Sequence, residues 1–358
     1  MMTPLQRRRV GIWGWAALLL LGALVFFFIR SRSATGAAAP KQQSNPPAAI
    51  SVVPLPTPGK VWTLKTSGTT NNLYSIYGMD SAQKLWAVGG NGTILESDDQ
   101  GATWKTRTSG TSADLYAVSA TNWGDKVWAV GANGTMVESD NGGATWRVRK
   151  SGTGNALRAL WVSTEDKEGQ WLCAAGDHGT IVGSSNGGTT WTVRSSGTSN
   201  NFTSVVAIDI PPHFWIAGDS GTIVVSDDGG KTWKAEASGT NERLVSIWVP
   251  GWQNGGTGPF WIAAENGAIL ASQDGNARWD TLRSGGGKPL TSILGTQDGM
   301  DLWALGVGGT ILASDDRGAT WKLRYSGTNE NLNASFEIST GAWAVGDHGV
   351  ILKSDPTI

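Results

Sequence analysis

The chain has 358 residues, 50 of them Gly and 20 Trp against 4 Tyr, with 28 basic and 29 acidic side chains. Six of the basic residues and no acidic one fall in residues 1–58, which leaves 22 basic against 29 acidic, a net −7, and argues against nucleic acid as a bulk partner. Cys173 stands alone, which excludes an internal disulfide, and abundant Gly beside Trp, Val, Ile and Thr points to short strands joined by tight turns.

Residues 1–9 form a basic N-terminal segment containing Arg7, Arg8 and Arg9, and residues 10–29 carry no charge. A helix of that length spans roughly 30 Å, the hydrocarbon thickness of a bilayer. A cleaved signal segment usually has a shorter apolar run, and Arg30 and Arg32 follow immediately, so the stretch reads as an uncleaved membrane anchor. The three arginines ahead of it place the bulk of the chain outside the cytoplasm; cleavage would instead release it as a secreted protein. Residues 30–58 are rich in Pro, Ala and Ser and form a semi-extended linker.

From Gly59 to Ile358 an internal repeat takes over. Its clearest mark is an octet that begins with Ser and ends with Trp: SDDQGATW (Ser97, Asp99, Gly101, Trp104), SDNGGATW (Ser139, Gly143, Trp146), SSNGGTTW, SDDGGKTW (Ser226, Asp228, Gly230, Trp233), SQDGNARW and SDDRGATW (Ser314, Asp316, Gly318, Trp321). Ahead of each octet runs a strand centred on Trp86, Trp128, Cys173, Trp215, Trp261 or Trp303, and Trp343 adds a seventh, all 40 to 46 residues apart. Cys173 occupies a Trp position, and Trp171 precedes it by two residues on the same strand face. Seven units of four short antiparallel strands predict an all-β, seven-bladed β-propeller, because such blades bury their faces only by stacking in a ring. The last unit stops at Ser354-Asp355, and the missing Gly-x-x-Trp half stands at Gly59–Trp62, so residues 60–66 are expected to complete the final blade.

The octets resemble the Asp-box repeats (S-x-D-x-G-x-x-W) of sialidase-like propellers. With WAVGGNGTIL and AWAVGDHGVIL added, residues 59–358 resemble more particularly the photosystem II stability/assembly factor family. That resemblance implies a membrane-associated or lumenal propeller that binds a protein client, and in a phototroph a part in photosystem II assembly. The rivals are a carbohydrate-active or lectin-like Asp-box propeller and a general cell-envelope scaffold.

The Asp boxes themselves read as structural turns, in which the acid accepts backbone N–H bonds and the Gly takes positive φ. A sialidase needs three converging Arg, and the first strands offer only Arg158 and Arg243, with Tyr74, Tyr77 and Tyr116. His178, His213 and His348 lack ligand spacing, so the sequence calls for no metal. A monomer with no cofactor and no enzymatic activity is expected, with a glycoside hydrolase as the rival. Two binding surfaces remain. One is the face of the hairpins between second and third strands, with Asp177, His178, Asp219, Glu265, Asp347 and His348. The other is a basic arc three residues beyond the box Trp, at Lys65, Arg107, Arg149, Arg194 and Arg324, expected to point outward while the residue before each points in.

Overall fold

A computed structural model describes residues 62–354 apart from 80–82, 122–123, 164–170, 209–211, 251–258, 276–277 and 284–286. The anchor at 10–29, the linker at 30–58 and Lys60 and Val61 lie outside the described residues. Among the described residues the strands form seven four-stranded antiparallel sheets, six of them running in simple chain order. Blade 1 is Leu73–Met79, Lys84–Gly89, Ile94–Ser97 and Lys105–Arg107, and blades 2 to 6 repeat the pattern. The seventh sheet joins Leu332–Ile338, Gly341–Gly346 and Ile351–Ser354 to Trp62–Lys65, paired with Trp62 opposite Ser354 and Lys65 opposite Ile351. Ser354 Oγ accepts from Ala342 N–H at 2.8 Å, and Trp62 is buried. No helix among the described residues is long and apolar enough to cross a membrane.

Alternation along each strand puts apolar side chains on both faces, so each blade needs a neighbour on either side. The buried residues accordingly gather in seven clusters, each shared by two adjacent blades. One unites Trp86, Val88 and Ile94 of blade 1 with Leu115, Val127 and Val137 of blade 2. Another unites Leu73 and Leu85 of blade 1 with Trp343 and Ile351 of blade 7, so the last blade packs on the first.

Among the described residues the second-strand Trp of five blades, Trp86, Trp128, Trp215, Trp261 and Trp343, reaches across to the neighbouring blade's Asp box. A Cβ on Gly101 would lie 2.0 Å from the Trp343 ring, and one on Gly143 2.3 Å from Trp86 Nε1. Those glycines also hold φ of +80° and +91°, so both the turn and the neighbouring indole demand a missing side chain. The box thus links blade to blade.

Candidate functional site

The Asp-box network is closed on itself. In blade 1, Ser97 Oγ donates to Asp99 Oδ1 at 2.7 Å and accepts from Gly101 N–H at 2.8 Å. Thr103 gives Asp99 both its N–H, at 2.8 Å, and its hydroxyl, at 2.6 Å. Those bonds from Thr103 hold the Asp99 carboxyl down to about 2. Blades 2 and 3 use Asn at this position with the same geometry: Asn141 Oδ1 accepts from Thr145 N–H at 2.9 Å, and its amide donates to the Thr145 hydroxyl at 2.9 Å. An amide that replaces the carboxylate so closely marks the box as a turn, and the carboxylate is spent within it.

The hairpin face surrounds the mouth of the propeller axis, a depression of about 400 Å³. Equivalent positions on the seven first strands supply its wall: Tyr74, Tyr116, Arg158, Thr203, Val245, Thr291 and Asn333. Each is the second residue of its strand. Tyr74 and Tyr116 lie 5.6 Å apart, and the Arg158 guanidinium sits 5.1 Å over the Tyr116 ring. Burial, followed by the charge of Asp114, raises the Tyr74 hydroxyl above its ordinary value.

The acids predicted on this face are present but partnered. Asp177 takes two nitrogens of Arg158, one at 3.0 Å; the ion pair raises Arg158 further. Arg243 pairs with Asp219 at 2.9 Å and reaches Glu265 at 3.4 Å. Asp347 accepts from Asn331 and Asn333, each at 2.9 Å. His178 and His348 occupy the left-handed positions of their hairpins, with φ of 56° and 53°, and their N–H groups donate to Asn201 and Asn72 of the next blade. The His348 ring, 2.7 Å from Glu330, has its affinity for a proton raised by that hydrogen bond. Asn, Asp and His at these turns therefore serve the hairpin and the seam between blades first. Tyr74, Tyr116 and Asp114 complete the mouth; only their place beside the leucines that open the first strands could have marked them in sequence.

The basic arc requires a correction. The residue before each cation, expected to point in, is the more exposed: Leu64 is 59% exposed, Val148 56%, Val193 52% and Leu323 42%. Arg107 and Arg149 instead lie half-buried across the third strand, with side chains 28% and 34% exposed. The reason is wedge geometry. Blades diverge toward the perimeter, so both faces of a fourth strand are partly open, and the long cation folds down over the strand beneath it.

What lies beneath decides the charge. Glu96, 1% exposed, takes Arg107 at 2.6 Å and Lys84 at 2.6 Å. Glu138, 5% exposed, takes Arg149 at 3.2 Å and Arg147 at 3.0 Å. The residue just before the box Ser changes identity round the ring, to Gly183 in blade 3, Ala313 in blade 6 and Lys353 in blade 7. Among the described residues no carboxylate pairs with Arg194, Arg324 or Lys65. Burial, aided by Lys65, depresses Lys353, whose ammonium lies 5.2 Å over the Trp343 ring. The arc cation is paired with a buried carboxylate in blades 1 and 2 and lacks one, among the described residues, in blades 3, 6 and 7. Glu96 and Glu138 precede box serines, a position whose side chains the register places beneath the fourth strand.

Among the described residues no three His, Cys, Asp or Glu side chains converge as metal ligands. Burial pushes the Cys173 thiol up to about 12, which leaves it unreactive.

These features define a seven-bladed Asp-box propeller. The BNR/Asp-box repeat family matches residues 224–235, the box of blade 4 and the strands beside it. No curated protein matches the chain. Among solved structures it is similar to YCF48 from Cyanidioschyzon merolae, at 22% identity and a TM-score of 0.66 over 83% of this chain and 99% of that one. It is also similar to YCF48 bound to D1 peptide, at 19% identity and a TM-score of 0.68 over 86% of this chain and 99% of that one. An ancestral GH74 enzyme shares the fold at 14% identity and a TM-score of 0.63, over 82% of this chain but 46% of that one.

Proposed function

We propose that the chain is a membrane-tethered propeller outside the cytoplasm that holds a protein client during assembly of a larger complex. Residues 10–29 anchor it, residues 30–58 give it reach, and the strand within 60–66 latches the ring. In a phototroph the client would be a photosystem II subunit. The observation that carries this reading is the likeness to YCF48 bound to D1 peptide along nearly the whole of both propellers. The perimeter supports it, because uncompensated cations at Lys65, Arg194 and Arg324 alternate with exposed Leu64, Val193 and Leu323, a mixture suited to a peptide with acidic and apolar residues. The domain acts as a monomer without a cofactor. Photo-crosslinking from position 193 of the full-length chain in its native membranes tests this reading. A discrete protein adduct is expected; adducts to lipid or glycan alone would overturn it.

A second reading rests on the axial mouth, where a Tyr pair beside Arg158 and Asp177 offers the stacking and planar hydrogen bonding that sugars use. It predicts that Tyr116→Ala abolishes binding to a glycan array and leaves client crosslinking intact.

A further inference from the structure

The seven blades are internal controls for one another, and one seam departs from the rest. Between blades 3 and 4 the second-strand indole is replaced by Cys173, and the acid beneath the fourth strand by Gly183. Register places Cys173, Gly183 and Arg194 on one face of blade 3, the face that packs on blade 4. Trp171, two residues earlier, reaches the next Asp box instead, where a Cβ on Gly229 would lie 2.8 Å from its ring. Trp161, opposite Cys173 on the first strand, packs edge-on against Phe214 at 5.2 Å and fills only part of the space. A notch of about 60 Å³ remains, lined by Trp171, Cys173, Gly183, Arg194, Lys231 and Trp233.

We infer that this notch is an anchoring pocket for a carboxylate-bearing side chain, Asp or Glu, of a partner protein. The chemistry follows from what is missing. In blades 1 and 2 the equivalent guanidinium is answered from within by Glu96 or Glu138, whereas Arg194 has no carboxylate partner among the described residues. Lys231, from the neighbouring turn, adds a second cation, and Asp228 beside it is already bound by Thr232 through its N–H and hydroxyl. Trp171 and Trp233 wall the pocket, lowering its effective dielectric and strengthening an ion pair made there. The volume admits a carboxylate and its adjoining methylene in place of a few waters. The partner's acid would thus occupy the place that Glu96 fills in blade 1.

This inference rests on the protein-client reading and locates one contact within it. The test uses the full-length chain in detergent and a library of acetylated, amidated octapeptides with one fixed residue each. Peptides with fixed Asp or Glu should be captured at least about tenfold above their Asn or Gln counterparts, as a charge-assisted pair in a walled pocket requires. Gly183→Glu, which restores the blade 1 arrangement, and Arg194→Gln should each abolish that preference. Cys173→Trp should close the notch, and Gly183→Glu keeps the test valid if that variant fails to fold. Acidic preference that survives Gly183→Glu, or no acidic preference in the parent, would overturn the pocket. So would saturation of the Arg194 Nε–H resonance by micromolar propionate, which would identify a free small acid as the occupant. Crosslinking of a client through position 193 tests the broader reading independently, so the two can fail separately.

Discussion

The perimeters of blades 1 and 3 place the same repeat positions in different chemical states. In blade 1 a Trp fills the seam, a buried Glu96 holds two cations, and Arg107 lies ion-paired over the strand. In blade 3 the Trp is Cys173, the Glu is Gly183, and Arg194 stands over a notch. The lesson is that residues shared by all blades report the architecture of the ring. Departures from the shared pattern report what a particular side of the ring can meet.

Seam packing should separate the two blades most strongly. Trp86→Ala empties a fully buried site and should cost about 3–5 kcal/mol in urea unfolding. Trp171→Ala, at a half-buried position beside an existing gap, should cost about 1 kcal/mol. Equal losses would mean that blade 3 is packed like the others.

Next comes the buried charge. Glu96→Gln strips the partner from Lys84 and Arg107 and should cost about 2–4 kcal/mol, because two cations then lose a carboxylate that water does not reach. Gly183→Glu places a carboxylate beneath Arg194 and should change stability by no more than about 1 kcal/mol, a difference readable by thermal unfolding.

The box glycines sharpen the claim that the turn also links blades. Gly143→Ala drives a Cβ toward Trp86 at positive φ and should cost about 2–3 kcal/mol. Gly197→Ala, outside the boxes in the Ser-Gly-Thr loop that follows the blade 3 box, with φ of +77° and open space around it, should cost about 1 kcal/mol. A matching cost at both would remove the interblade contact from the account.

The smallest effect is one of pH. The Asp99 carboxyl lies at about 2 in the folded chain against an ordinary 3.8. Its folded value is depressed, so its contribution is complete above 3.8 and is lost as pH falls toward 2. Solvent screening at this exposed turn keeps that contribution below about 1 kcal/mol. Asp99→Asn, the arrangement native to blades 2 and 3, should flatten the acid limb of the stability profile with little cost at pH 7.

Repeat spacing made the architecture readable because each blade needs the same Trp, Gly and Ser at the same intervals. The turn role of Asp99 and Gly101 was equally open, since a turn is local. The perimeter was not. Whether Arg107 is free or spent depends on Glu96, eleven residues away and paired with it only through strand register. Exposure of Leu64 and Val193 likewise follows from the widening of the gaps between blades, a property of the closed ring that no single strand carries. The axial mouth assembles Tyr74, Tyr116 and Arg158 from three blades, and its pairings with Asp177 and Asp219 arise only when the hairpins converge.

The most direct test is client capture by two forms of the full-length chain with altered perimeter charge. Lys65, Arg194 and Arg324 together changed to Glu should reduce crosslinking of the client at least about tenfold, while Arg107 and Arg149 changed to Gln should leave it within about twofold. Equal loss from both forms, or no loss from the first, would contradict the claim that the uncompensated side of the ring is the side that binds.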